Sequence, residues 1–384
     1  MSARQEKDAE QATAASRTND GPLDVVVIGG SQAGLAIAWH LARQGLRYAV
    51  LEAGPEIGHA WRSRWDSLTL FTPAQYDALP GMPFPAPADT YPTKVPVAGY
   101  LQAYASALEV PVRLNARVTG LSRTEEGFEA RAADQVFRAR QVVVTTGPFQ
   151  TPFVPPAAQG LDESVTQLHS AGYRNPQALP EGPVLVVGGG NSGFQIAEEL
   201  AAAGRRVDLS IATKLPVLPQ RLAGKDLFWW LTHLGLMRVT TESRLGRRMS
   251  SREFVIGHSR RRLQAKGVRF RPRLTGTGAR SAHFAYGSTL DTGVVIWATG
   301  YRLDHSWIQI PEVARDGQIA HQRGVTGVPG LYFLGLSWQH TRGSALLGFV
   351  GDDAAYIAGC IAARRRASDA ASPRPVRSHR AEQR

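Results

Sequence analysis

The first chemistry legible in the chain lies in six residues, Gly29-Gly30-Ser31-Gln32-Ala33-Gly34. They follow the apolar run Leu23 to Ile28 and open the helical stretch Ala33 to Gln44. Backbone N–H groups and a helix N-terminus therefore face one point, where a pyrophosphate binds. Glu52 stands 23 residues past Gly29, at the end of the strand Arg47 to Glu52. A carboxylate there accepts hydrogen bonds from ribose hydroxyls. Ser31 takes the middle position of the glycine pattern and adds a hydroxyl near the phosphates. The plainer use of such a turn is to pack a helix on a sheet.

A second turn, Gly188-Gly189-Gly190-Asn191-Ser192-Gly193, matches the pattern in full and follows the strand Val184 to Val187. The same count of 23 residues, taken from Gly188, ends on Ile211, with Ala212 next, and neither side chain holds a ribose diol. No acid repels a 2′-phosphate there. Lys214 stands two residues beyond Ala212 and Arg205-Arg206 precede the strand, so NADPH is expected in preference to NADH. Exposed cations without a ligand are the plainer reading of these three.

The elements that position these turns form two βαβ units whose glycine turns start 159 residues apart. Val142 to Gly147 reads as a later strand of the first unit, and Val294 to Gly300 as its counterpart after the second. A final strand, Gly330 to Gly335, precedes a loop and the helix Asp352 to Ala363. The expected fold is α/β, with two Rossmann-like dinucleotide-binding domains, the second (155–295) inserted into a discontinuous first (23–154 and 296–366). Residues 1–22 read as a flexible leader and 367–384 as a basic disordered tail.

The 384 residues suffice for two cores, and the polar N-terminus carries no apolar signal segment. No run reaches the length of a membrane span. One cysteine, Cys360, excludes a dithiol relay within the chain and fits a reducing cytoplasm. The net charge of +12 favours anionic ligands. From Arg364 to Arg384, seven arginines face two acids, and a second basic stretch runs from Arg244 to Arg273. No helix-turn-helix or RNA-binding signature accompanies this charge, so nucleic acid is not an expected partner. No metal is expected.

Beyond the two turns, the stretches Trp65 to Pro85, His169 to Tyr173 and Ala298 to Arg302 resemble the class B flavin-dependent monooxygenases. These include the flavin-containing monooxygenases, the YUCCA enzymes and short bacterial relatives such as arsenic-resistance flavoproteins. The resemblance covers about residues 23 to 363. It implies FAD in the first turn and NADPH in the second, making these the FAD and NADP domains, with Thr299 and Gly300 among the cofactor-binding residues. Trp61 and Arg62 resemble the family's Trp-containing segment beside the flavin. The family signature around His169 keeps only His169 and Tyr173, with Glu163 and Val165 where Phe and Gly stand. Tyr173 occupies the place of the Baeyer–Villiger Trp, which disfavours ester formation. Phe71, beside Thr72, falls where the animal enzymes carry an Asn near the flavin.

The resemblance further implies that NADPH reduces FAD and that oxygen forms a C(4a)-hydroperoxide, which passes one atom to a small-molecule substrate. Phe71 and Phe228-Trp229-Trp230 suggest an apolar substrate, and Tyr173 suggests attack by a soft nucleophilic atom rather than oxygenation of a ketone. Leu227 to Met237 reads as an access wall or lid, or equally as a helix covering a sheet. Phe71, Thr72, His169, Tyr173, His340 and Arg342 are candidates to meet substrate or flavin, with linker or loop roles as the plainer alternative. Competing functions are an NADPH-dependent flavin oxidase or reductase, Baeyer–Villiger oxygenation, and a redox-sensing module tethered by its basic tail.

Overall fold

The computed structural model describes residues 21–371, apart from 252–253 and 316–317. Its first sheet has nine strands among the described residues, of which the parallel centre is β1 (Leu23–Ile28), β2 (Tyr48–Leu51), β3 (Val112–Arg113), β4 (Gln135–Val144) and, far along the chain, Leu331–Phe333. These five strands are parallel and lie in the order Leu331–Phe333, β4, β1, β2, β3. Strands buried on both faces need apolar residues throughout. Val25 and Val27 accordingly enter the core beneath the helices α1 (Gln32–Arg43) and α2 (Lys94–Ala107), while Val26 and Ile28 enter a second core on the opposite face.

The second sheet is wholly parallel. It contains β5 (Thr166–His169), β6 (Val184–Val187), β7 (Val207–Ser210), β8 (Arg269–Arg271) and β9 (Val294–Trp297), in the order β8, β7, β6, β9, β5. The helix α3 (Asn191–Ala202) covers one face. β9 straddles the expected boundary at 295/296. It lies between β6 and β5, because Val294 to Trp297 are all buried and only a central strand is covered on both faces.

The chain crosses between the sheets twice, and the two crossings pair antiparallel, Tyr301 with Pro152 and Arg302 with Thr151. The last helix, α5 (Gly351–Ala371), packs on α1 and continues eight residues past the expected end at Ala363. Its Ala- and Arg-rich extension contains no Gly or Pro, and Arg365 pairs with Asp369 one turn on. Residues 367–371 are thus helical rather than a disordered tail, while 1–20 and 372–384 lie outside the described residues.

Candidate functional site

Gly29 has φ +114°, and a Cβ there would meet the Thr145 carbonyl oxygen at 2.8 Å. A Cβ on Gly34 would lie 1.9 Å from the Gly29 carbonyl oxygen. These two glycines bring the first turn of α1 down onto β1 and β4. Ser31 begins the helix without capping it, its hydroxyl donating instead to Gln32 Oε1 at 2.6 Å. The leading N–H groups of α1 are left for an anion, as a pyrophosphate cradle requires. Ala33 is buried, and a Cβ added to Gly335, in the loop after the last strand, would lie 2.8 Å from the Ala33 Cβ.

The end of β2 is organised around Glu52. Its Oε2 accepts the Gly30 N–H and its Oε1 the Gly54 N–H, both at 2.7 Å, so the carboxylate is fixed with a lone pair on each oxygen still available for a ribose. Trp61 Nε1 donates to Gln32 Oε1 at 3.3 Å and stands at the cradle. Arg62 turns away, bonding Gln102 Oε1 at 2.6 Å and pairing with Glu56 at 3.1 Å. Its partners lie on α2 and in the loop before Trp61. Sequence reasoning missed Lys94, which is buried and gathers the segment by donating to the Arg64 carbonyl and to Asp66 at 2.6 and 2.7 Å.

The second cradle repeats the geometry. Gly188 has φ +133°, and Cβ atoms on Gly188 and Gly193 would meet backbone oxygens at 2.1 and 2.0 Å. Gly190 caps α3 with no side-chain bond, and a Cβ there meets nothing within 4 Å, which leaves space for a dinucleotide. Ser192 in the first turn is half-buried. Gly189 faces Ile211, whose Cγ2 would lie 2.7 Å from an added Cβ. Lys214 is exposed beyond the end of β7. Asn191 is spent structurally: its Nδ2 donates to the Phe254 carbonyl and its Oδ1 accepts the Ile256 N–H. Arg205 donates to the carbonyls of Pro176, Pro180 and Gly182, which engages its guanidinium within the protein.

Thr299 and Gly300 sit where the chain leaves β9. The Thr299 hydroxyl donates to the Phe153 carbonyl, and the Gly300 carbonyl accepts the Phe153 N–H at 3.0 Å. His169 Nδ1 accepts the Ala171 N–H, which leaves Nε2 to donate to the Gly300 carbonyl at 2.9 Å. Burial holds this imidazole below its ordinary pKa. His169 therefore braces the two crossings. Tyr173 is fully buried in the core under α3, where its hydroxyl donates to Glu199 Oε2 at 2.8 Å. This corrects its candidacy for substrate or flavin, and with it the argument against carbonyl oxygenation.

Between the units lies a cavity of about 280 Å³, with Leu70, Phe71, Gln195, Ile256 and Arg262 in its walls. Phe71 stacks on Phe228 at 5.9 Å, and the Arg342 guanidinium lies 6.0 Å from the Phe71 ring centroid. Phe228 belongs to the short helix α4 (Leu227–His233), whose Asp226 cap is buried. Asp226 Oδ2 accepts from Tyr91 at 2.7 Å and from Gln220 at 2.8 Å, and Gln220 also donates to the Phe71 carbonyl. This polar tie between the units was missed. Its one sequence signal was an Asp immediately before an apolar run.

Thr72 is also buried, donating its hydroxyl to Asp77 Oδ1 at 2.5 Å. Burial drives the Asp77 carboxyl up to about 7, and its other oxygen has no partner among the described residues. His340 ties the last loop to the second unit, its carbonyl accepting the Thr241 N–H at 2.8 Å. Burial, helped by Arg323, lowers the pKa of its ring. The Ser344 hydroxyl then accepts the His340 and Thr341 N–H groups, starting the turn that holds Arg342.

A family described as pyridine nucleotide-disulphide oxidoreductase matches residues 26–217. An uncharacterized oxidoreductase, CzcO-like, of Geobacillus kaustophilus is 45% identical over 87% of this chain and 97% of its own. The indole-3-pyruvate monooxygenase YUCCA4 of Oryza sativa is 29% identical over 84% of each chain. Among solved structures, a flavin-containing monooxygenase from Stenotrophomonas maltophilia is 29% identical with a TM-score of 0.74, covering 89% of this chain and 98% of the other.

Proposed function

We propose that this chain, which belongs to the class B flavin-dependent monooxygenases, holds FAD at α1, takes hydride from NADPH held at α3, and oxygenates a small, mostly apolar substrate. The observation that carries this reading is the pairing of two glycine cradles with unlike strand ends, Glu52 facing Gly30 and Ile211 facing Gly189. Bound FAD would supply what side chains lack, hydride acceptance and the activation of oxygen.

The residues of the chain bind, orient and exclude water. The first turn of α1 and Glu52 would hold the pyrophosphate and ribose of FAD, with Gln32 kept in place by Ser31 and Trp61. The turn Gly188 to Gly193 would seat NADPH, with Lys214 as the cation for its 2′-phosphate. The aromatic group Phe71, Tyr76, Phe228 and Phe349 keeps water from the space between the units. A soft nucleophilic atom, sulfur, nitrogen or trivalent arsenic, needs only to be held in line in such a pocket.

With Tyr173 in the core, carbonyl oxygenation stands as the second reading, favoured by the similarity to an indole-3-pyruvate monooxygenase. Anaerobic reduction of the FAD-loaded enzyme by NADPH, followed by labelled oxygen and a panel of thioethers, amines, trivalent arsenicals, ketones and keto acids, tests both. Label in an oxidised soft atom supports the first reading; label only in carbonyl-derived products supports the second. Hydrogen peroxide with no labelled product overturns both in favour of an oxidase.

A further inference from the structure

The chain between β7 and β8 carries an apolar surface that neither core uses. Leu222 stands in an antiparallel hairpin, Arg221–Leu222 against Lys225–Asp226, and is 55% exposed. The hairpin turns through Ala223 and Gly224, both with positive φ, which matches the twist of its two strands. Trp230 Nε1 donates to the Leu222 carbonyl at 2.9 Å, so hairpin and α4 form one piece. Trp229 meets Trp230 edge-on at 4.8 Å and stacks on His233 at 4.0 Å, with the Lys225 ammonium 5.5 Å above its ring. Leu234, immediately after α4, is 65% exposed.

α4 thus has two apolar faces. Leu227 and Phe228 are buried against the first unit, in contact with Phe71, Tyr76 and Phe349. The other face carries the half-buried Trp229 and Trp230 and the exposed Leu234, beside the exposed Leu222. Cations border it. Arg221 and Lys225 are exposed on the hairpin itself, and Arg238, Arg244, Arg247 and Arg248 are exposed on the chain that follows. Between residues 221 and 248 there are six basic and two acidic side chains, and one of the two acids, Asp226, is buried.

We propose that this hairpin and the outer face of α4 form a docking surface for an anionic bilayer, with Leu222, Trp229, Trp230 and Leu234 entering the headgroup region. Indoles favour that region because they join an apolar body to a polar N–H, and neighbouring Lys and Arg side chains are drawn to anionic lipid. A nucleic acid would engage the cations and leave the leucines wet. A second copy related by a two-fold axis would set like charges against each other. No helix among the described residues is long and apolar enough to cross a membrane, so the contact is peripheral. On its inner face the same helix stacks Phe228 on Phe71, and Phe71 lines the cavity, so docking would set an apolar source one ring away from the site.

The test is sedimentation of the full-length, FAD-loaded protein with vesicles of phosphatidylcholine alone or mixed with phosphatidylglycerol. The expected result is binding to the mixed vesicles, weakened in about 1 M salt, where the Debye length is about 3 Å. Leu234→Ser with Leu222→Ser should weaken binding about tenfold or more, and Arg221→Gln or Lys225→Gln about fivefold each. Flavin content and NADPH oxidation without vesicles should not change in these variants. No binding to mixed vesicles overturns the proposal. So does binding that survives the leucine variants but is lost on deleting 372–384, and so does a concentration-dependent dimer that the leucine variants abolish.

Discussion

Gly30 and Gly189 occupy equivalent places in the two units, yet Gly30 faces Glu52 and Gly189 faces Ile211. In the first unit the carboxylate takes the glycine N–H and is locked at the end of β2. In the second, a methyl group fills the same place at the end of β7. Both turns need glycine for the same steric reason, close approach of helix to strand. The strand-end residue answers a different demand, the ligand's ribose. A fold duplicated in one chain thereby separates what holds the cradle together from what selects its occupant.

The largest expected effect comes from damaging the two turns in parallel. Gly34→Val and Gly193→Val each drive a Cβ into a backbone oxygen about as severely, at a cost of about 3 kcal/mol or more. If the cradles hold different dinucleotides, Gly34→Val yields colourless protein, whereas Gly193→Val yields yellow protein that NADPH reduces slowly. Absorbance at purification and reduction rates read this directly. Yellow Gly34→Val protein would break the assignment.

A second comparison sets Asp77 in the first unit against Asp208 in the second. Both are fully buried. Asp208 pairs with Arg269 at 2.5 Å and Arg271 at 2.7 Å, whereas Asp77 Oδ1 is held by the Thr72 hydroxyl. Burial raises the Asp77 carboxyl from 3.8 to about 7. A carboxyl whose folded pKa lies above its unfolded one binds its proton more tightly when folded. Its contribution is therefore present below about pH 4 and is lost as pH rises towards 7. The loss is of order 4 kcal/mol at most. Denaturant unfolding across that window should show stability falling with pH, and Asp77→Asn should flatten the slope. An unchanged slope would show that Asp77 does not titrate there.

The smallest expected effect sharpens the strand-end contrast. Ile211→Glu would rebuild the carboxylate of the first unit inside the second and should shift preference towards NADH by about tenfold to a hundredfold. Lys214→Ala should weaken NADPH alone, towards the lower end of that range. Steady-state kinetics with both nucleotides check the pair. A wild-type enzyme indifferent between NADH and NADPH would remove Ile211 and Lys214 from the argument together.

Both cradles and Glu52 were legible in the sequence because strand, turn and helix are neighbours along the chain, and the glycine pattern encodes a contact within five residues. The inserted second unit was legible for the same reason, from the recurrence of one local grammar. Tertiary structure alone decided the fates of Arg62, Asn191, Tyr173 and Arg205. Their types suit a cofactor or substrate site equally well, but the hydrogen-bond partners that claim their polar atoms lie 23 to 65 residues away in sequence, with Glu56, the ion-pair partner of Arg62, the one near neighbour among the named partners. The same holds for the tie of Tyr91, Gln220 and Asp226, which spans 135 residues. A side chain's type fixes which bonds it can make. Which bond it does make depends on the polar groups that folding brings within about 3 Å, because a buried donor left unpaired costs more than any local preference supplies.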